Sequence, residues 1–457
     1  MMGLMPSEET RTMTPPTVRS SAAHDAGKAG GASTRAWTMR LLVLGIVLSA
    51  LNLRPAITSL GALLEEVRDG LGMSGSVAGL LTSVPPLCFA VFGVMAPRLA
   101  RRFGAGAVVC AGMVAIATGL LIRPYAGGTA GFLAGSALAL MGIAVSNVLM
   151  PVIVKHWFPD RVGSMTGLYS MALALGTALA AAVTVPLTDT LGGSWQTGLA
   201  LWAGLAVAAV LPWLPFVRGR LTPPGAEKAA EAATGGNPAQ DREETTSAQA
   251  SAPAEHARVE APRLRMARSR TAWALAVFFG LQATAAYITM GWMAQIFRDA
   301  GVPAGTAGLL LAVTMVMGVP LAFVIPRLAT RLPHQGPIVL ALGVCGLVGY
   351  AGLYLAPAGG AWAWAVLLGV ANCAFPLALT MVGMRARTGP GVAQLSAFAQ
   401  STGYLISIPG PLLVGVLYQH SGGWGLPIAL MSALMIPQMA VGFLAGRDRT
   451  VEDEAAR

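Results

Sequence analysis

Charge is what this sequence has least of. Asp, Glu, Lys and Arg make up 11% of its 457 residues, against about 25% in an ordinary soluble domain. The chain is 55% hydrophobic. Its apolar runs recur from end to end, which argues against a soluble protein carrying a single anchor. The four cysteines, Cys88, Cys110, Cys345 and Cys373, lie inside apolar runs without metal-ligand spacing. They read as small buried hydrophobes and carry no information about redox compartment. A glycine-rich phosphate loop, a metal-ligand cluster and a nucleophile beside a base are all missing. No catalytic residue, metal site or cofactor is therefore expected. The leading stretch is rich in Ser, Thr, Pro and Gly, without the short apolar core and cleavage site of a secretory signal. It is expected to be a disordered tail over residues 1–37.

What is there is a series of twelve apolar runs. They fall near 39–63, 76–97, 105–122, 129–154, 163–186, 195–217, 271–296, 305–326, 336–356, 362–384, 391–417 and 424–445. Each is about long enough to cross a bilayer. The series reads as six, a break, then six: 38–217 and 269–446, joined by 218–268 and followed by a tail over 447–457. The 218–268 stretch is rich in Ala, Glu, Pro, Ser and Thr, cannot bury a core, and is expected to be a flexible linker.

The net charge of +10 is explained by topology. With the N-terminus inside, inner loops carry Arg98, Arg101, Arg102, Lys155, Arg161, Arg218, Arg220, Arg327, Arg331, Arg385 and Arg387, and the linker and tail add more. The outer side has Arg68, Arg123 and Arg298. This bias places both termini and the linker in the cytoplasm of a multi-pass cell-membrane protein. It leaves no need for a nucleic-acid partner, although it allows attraction to anionic lipid.

The two sixes are related. "AGLLTSVPPLCFAVFGVMAPRLARR", from Ala78, aligns without a gap on "AGLLLAVTMVMGVPLAFVIPRLATR", from Ala307, at a shift of 229 residues. Two parallel six-span halves joined by a long inner loop are the plan of the major facilitator transporters, whose solute site lies near the midplane between the halves. The expected fold is all-α and integral to the membrane, with twelve helices in two pseudo-symmetric halves.

Longer motifs narrow this. "LNLRPAITSLGALL", from Leu51, resembles the first-span signature of the cyanate and 2-nitroimidazole transporter family. "SNVLMPVIVKHWFPDRVGSMTGLYSMALALG", from Ser146, is similar to its fourth and fifth spans. "FFGLQATAAYITMGWM", from Phe278, resembles its seventh, where Gly-Leu-Gln is followed by an aromatic and a Trp. "FPLALTMVGMRAR" and "LSAFAQSTGYLISIPGPLL" resemble the tenth and eleventh. The similarity covers about residues 38–445 without the linker. Two features depart from it: Trp292 is followed by Met293 and Ala294 instead of a nearby Pro, and "PRLARRFG" lacks the acidic residue of the general superfamily loop. The second departure weakens any gating ion pair borrowed from distant relatives. The resemblance spans an importer of a small anion and an exporter of an uncharged heterocycle.

Arg54 is the residue that composition does not explain. It lies fourteen residues past Arg40, about 21 Å along an ideal helix, so beyond the middle of a core about 30 Å thick. Pro55 follows it directly, and without an N–H it leaves the carbonyl of Leu51 without its partner. Irregular backbone and charge at that depth require protein or a wet cavity. A cavity answers both, and Ala50, Arg54, Thr58 and Gly61 on one helix face would form its wall. The competing reading is an Arg bonded to carbonyls as internal glue. Glu65, Glu66, Asp69, Asp160, Asp189 and Asp299 all fall in loops or at span ends. Arg54 thus has no internal counter-ion, and the natural partner is a bound anion or dipolar solute. The same distribution argues against a carboxylate proton relay.

Other polar residues fall at depth. Gln282 is one position off the counterpart of Arg54 at the 229-residue shift; Ser396, Gln400 and Tyr404 recur every four residues; Tyr169 and Asn147 lie in the fifth and fourth runs. They line a solute path or make hydrogen bonds between helices. Lys155 and Arg161 read as boundary anchors. The expected substrate-binding set is Arg54, Thr58, Asn147, Tyr169, Gln282, Gln400 and Tyr404. The expected function is a secondary transporter, working as a monomer, that moves a small anionic or strongly polar solute such as cyanate by alternating access. The alternative is a proton-coupled exporter of nitroimidazole-like or mixed drugs. A membrane enzyme or a non-transporting sensor is more remote.

Overall fold

In the computed structural model, residues 21–217 and 266–455 are described. Every regular element among them is a helix. Twelve stretches are long and apolar enough to cross a membrane. Spans 1 to 6 are Trp37–Ala62, Gly75–Phe103, Ala105–Tyr125, Thr129–Trp157, Ser164–Thr190 and Trp195–Val217. Spans 7 to 12 are Arg270–Asp299, Ala304–Arg331, Gly336–Leu355, Ala361–Met384, Gly391–Ser421 and Gly425–Ala445. Each lies within several residues of the apolar run that announced it.

The described residues fall into two compact units, divided between Leu44 and Gly45. In the first, helix begins at Ser21 and continues as Ser21–Asn52, inside the stretch read as a disordered tail. Its Ala-rich segment has no proline beyond Pro16 to stop a helix. Residues 1–20 of that stretch, and 218–265 of the proposed linker, lie outside the described residues. Met266–Arg268 is a single 3-10 turn. All that follows concerns residues 45–457.

Four spans are interrupted beside a proline. Spans 1, 8, 10 and 11 each contain two helical segments, the second being Pro55–Ala62, Gly318–Arg331, Ala374–Met384 and Pro409–Ser421. A proline stands within the first three residues of each second segment: Pro55, Pro320, Pro376 and Pro409. There the missing N–H costs nothing, because the first amides of a helix have no partner within it. Span 7 has no proline and is one unbroken helix from Arg270 to Asp299, started by Ser269, whose hydroxyl accepts from the Ala272 amide at 3.0 Å. It is the most enclosed span, and its buried face includes Phe278, Phe279, Tyr287, Trp292 and Phe297.

Spans from the two sixes meet closely at the end that carries Glu65, Glu66 and Asp299, called here the acidic end. Span 2 meets span 11: the Gln419 side-chain oxygen accepts from the Ser76 amide at 2.9 Å and the Ser76 hydroxyl at 2.6 Å. One turn on, a Cβ on Gly79 would lie 2.8 Å from the Leu412 carbonyl oxygen, so only glycine allows this approach. Span 7 meets span 2 through Trp292, whose Nε1–H donates to Thr82 at 3.2 Å. The first segment of span 8, Ala304–Val316, packs along span 5, whereas its second segment barely touches that span. The contact between the sixes is thus tight at the acidic end and loosens toward the opposite, basic end.

At the basic end, a short helix, Val451–Ala455, ties spans 7 and 11 together. The Glu454 carboxylate accepts from the hydroxyls of Ser269 at 2.6 Å and Thr271 at 2.7 Å. Glu452 accepts from the amides of Arg387 at 3.0 Å and Thr388 at 3.3 Å. Arg385, read from the sequence as a loop residue, is buried: its Nε donates to Ala445 at 3.0 Å, and Nη2 reaches Gly446 at 2.8 Å and the side chain of Gln335.

Candidate substrate site

The interruption in span 1 shapes the candidate site. Helix Ser21–Asn52 ends, Leu53 and Arg54 turn, and the helix restarts at Pro55. Arg54 caps the new segment with φ −125° and ψ −27°. Its carbonyl accepts from the amides of Ile57 at 2.9 Å and Thr58 at 3.1 Å and from the Thr58 hydroxyl at 3.1 Å. With its backbone held in this way, the side chain projects from a helix start, whose positive dipole end adds to its own charge.

Three tyrosines lie near the guanidinium. It reaches the hydroxyl of Tyr287 on span 7, and Tyr169 on span 5 and Tyr404 on span 11 lie within reach of its charge. Phe89 of span 2 stacks on Tyr404 with centroids 5.1 Å apart and rings inclined by 25°, and lies 6.5 Å from the Tyr287 ring. Phe279 meets Tyr404 edge-on at 5.2 Å. Tyr169 is fixed from behind, donating to Asn147 Oδ1 at 2.6 Å. Among the described residues Arg54 makes no ion pair. The acidic residues closest in sequence, Glu65 and Glu66, are held by Arg298 instead. The result is a charged fork, three phenols that donate or accept, and flat apolar rings. Such a set is chemically suited to a small anion, or to a polar group attached to a flat ring, through charge-assisted hydrogen bonds.

The sequence-derived residues do not all converge. Arg54, Tyr169 and Tyr404 do, with Asn147 behind Tyr169. Thr58 is fully buried, its hydroxyl donating to the Arg54 carbonyl, so it supports the backbone turn. Gln282 is 1% exposed: its amide nitrogen donates to the Asn372 carbonyl at 3.0 Å and its oxygen accepts from Gln438 at 3.1 Å. Both ends of that side chain join spans 7, 10 and 12, which is the interhelical role. Gln400 donates to Ser396 at 2.7 Å on its own helix.

The expected wet wall needs correction at Ala50 and Thr58, whereas Gly61 lines a small chamber. Ala50 and Thr58 are fully buried, and Gly61 is pressed against the Met290 carbonyl of span 7. The Leu51 carbonyl, deprived of a partner by Pro55, faces the Cα of Gly176 on span 5, where any side chain would collide with it. Close packing takes the place of water there, because the turn at Leu53 and Arg54 rotates the second segment relative to a regular helix.

Two further buried residues stand outside the sequence-derived set. Tyr287 is the aromatic of the seventh-span motif, and its place five residues after Gln282 was the available signal. Arg123, read as an outer loop residue, is 2% exposed.

Residues 42–388 match the Major Facilitator Superfamily. The chain is a member of that superfamily. A 2-nitroimidazole transporter of Escherichia coli (strain K12) is 30% identical over 420 residues, covering 90% of this chain and 96% of the relative. The cyanate transport protein CynX of the same strain is 29% identical over 402 residues, covering 88% and 96%. The chain therefore belongs to the cyanate and 2-nitroimidazole branch that its motifs resemble. The fold is also that of the xylose transporter XylE from E. coli in its inward-open conformation, with a TM-score of 0.66 at 11% identity over 91% of this chain and 98% of that one. As a major facilitator member, this twelve-span protein is a transporter of small solutes in the cell membrane.

Proposed function

We propose that this protein is a secondary transporter of a small anionic or strongly polar solute, cyanate-like in charge and size, and that Arg54 holds the solute at the centre of the path. The observation that carries this reading is a guanidinium at membrane depth, near Tyr169, Tyr287 and Tyr404, with no carboxylate paired to it among the described residues. An intramembrane charge is costly unless its partner is part of the function. The solute supplies that partner.

The basic end, with both termini, lies in the cytoplasm, as the distribution of Lys and Arg favours. Tight packing at the acidic end and the loose approach of spans 5 and 8 at the basic end correspond to the cytoplasm-open state of an alternating-access cycle. With no carboxylate beside Arg54, coupling comes from the charge or protonation of the solute itself, or from exchange. The protein works as a monomer, each chain holding a complete path. The flat rings of Phe89 and Tyr404 at the same site also admit a nitroheterocycle, the substrate class named for one relative.

A thermal-shift comparison tests the solute class. Purified protein is melted with sodium cyanate and with 2-nitroimidazole. A ligand at a hundred times its dissociation constant stabilises by about 2.7 kcal/mol. Stabilisation by cyanate supports the anion reading; stabilisation by 2-nitroimidazole alone rejects it.

A further inference from the structure

The geometry points to Arg123 as a second solute-binding residue, in a chamber between the Arg54 site and the acidic end. This rests on the reading above and adds a step to the path. The chamber is lined by Ala56, Gly61, Thr82, Arg123, Ser136 and Tyr287, with apolar neighbours. It has room for about one water molecule in this conformation. Tyr287 is shared: its hydroxyl meets Arg54, and the same residue forms part of the chamber wall.

Arg123 begins the last turn of span 3, Arg123–Tyr125, and only 2% of its surface is exposed. Nη1 donates to the Ala56 carbonyl at 3.0 Å, and the guanidinium lies 5.7 Å from the Phe132 ring centre. Nε and Nη2 have no hydrogen-bond partner among the described residues, and neither does the hydroxyl of Ser136, which is 1% exposed and lines the same chamber. An arginine cannot shed its charge as a buried lysine does. A buried guanidinium with two idle donors is therefore expensive. One Nη1 bond to Ala56 explains how the side chain is held. It does not explain why an arginine stands where a neutral donor would serve.

A small anion explains it. Nε and Nη2 form one edge of the fork, the edge that binds two oxygens or an elongated anion side-on, and Ser136 adds a third donor. In a state open at the acidic end, the chamber widens and its donors face the entrance. The solute meets Arg123 first and then passes Tyr287 to Arg54. Closure at the acidic end shrinks the chamber to its present size and leaves the solute with Arg54 alone. Arg123 thus serves the acidic-end state, and Arg54 serves both.

Vesicles of fixed orientation, loaded or bathed with labelled cyanate, separate these roles. The half-saturating concentration is measured from each face for the parent, Arg123→Gln, Arg123→Lys and Arg54→Ala. With Arg123→Gln, half-saturation from the acidic-end face rises tenfold or more, while that from the basic-end face changes less than twofold. Arg123→Lys, which keeps the charge and loses the fork, falls between. Arg54→Ala raises both. Equal changes at the two faces for Arg123→Gln, or a lower melting temperature with half-saturation unchanged, would show that Arg123 is only a brace for Ala56 and overturn the inference. Flux of cyanate that is indifferent to Arg123 but lost with Arg54→Ala removes this step and leaves the central site standing. No cyanate flux in the parent overturns both.

Discussion

Arg298, at the end of span 7, spans the gap to Glu66 beyond span 1, with Nη1 2.9 Å from the Glu66 carboxylate and Nη2 2.8 Å from that of Glu65. This is the ion pair that the sequence of the basic loop gave no reason to expect, and it stands at the opposite end from that loop. It fastens the two sixes where they already pack closely. Next to it Asp299 accepts from Tyr418 and from Trp424, each at 2.8 Å.

A first prediction follows from its position. Arg298→Gln removes the clasp without touching the solute site. The carboxylates are partly exposed, so the two pairs together are worth only about 0.5–1 kcal/mol. The closed state at the acidic end should lose roughly that much, a shift of about two- to fivefold in the conformational ratio. Thr82→Cys, in a background without the native cysteines, should react with an impermeant thiol reagent faster by that factor. An unchanged labelling rate would mean that glycine packing alone holds the end shut.

Gly176 gives a second prediction. Its Cα lies against the Leu51 carbonyl, so Gly176→Ala forces span 5 away from the turn that presents Arg54. Overpacking of this kind costs about 1–3 kcal/mol. The melting temperature should fall, and solute affinity should fall with it, because the turn at Leu53 and Arg54 is displaced. If the alanine variant melts and binds like the parent, the contact is looser than described.

The tail helix gives a third, with a defined pH sense. Burial pushes the Glu454 carboxyl up, but the Ser269 and Thr271 hydroxyls and the amides of Thr271 and Arg270 outweigh it and hold the group below its ordinary value. Glu452 is likewise held down against burial, by its own amide and by those of Arg387 and Thr388. A depressed carboxyl contributes stability that is fully present above its unfolded value, about 4.3 for Glu, and is lost as the pH falls through the folded value. The loss in melting temperature caused by Glu454→Gln should therefore be largest near pH 7 and shrink below about pH 4.3. A difference that persists unchanged into acid would contradict the capping role.

How much of this was legible depends on which physical signal each feature leaves. The twelve spans were plain, because hydrocarbon demands about twenty apolar residues in a row and nothing else in a chain looks like that. Arg54 was plain for the opposite reason, a charge inside such a run. Tyr287 was hidden, since a tyrosine counts toward the apolar pattern and its hydroxyl leaves no periodic trace. Arg123 was misplaced because it sits at the boundary of a run, where topology rules assign an Arg to a loop; only packing shows that the turn after it folds the side chain inward. The wall at Ala50 and Thr58 was drawn on an unbroken helix, and the proline that signalled the candidate site also broke the geometry used to describe it. Gln282 shows the limit of polarity at depth: hydrogen bonding between spans and binding of solute place the same residue types in the same runs, and only the partners Asn372 and Gln438 separate them.

The most direct measurement is the affinity of purified Arg54→Ala and Arg54→Lys for cyanate, by titration calorimetry, with the melting temperature of each as a control for folding. A charge-assisted hydrogen bond contributes about 1.5–3 kcal/mol, so Arg54→Ala should bind more than tenfold more weakly. Arg54→Lys should lie between it and the parent, since it keeps the charge and loses the planar fork. Both should fold, because no carboxylate partner among the described residues is left unpaired by the change. Normal cyanate binding by folded Arg54→Ala would contradict the central role of this residue and make it internal glue.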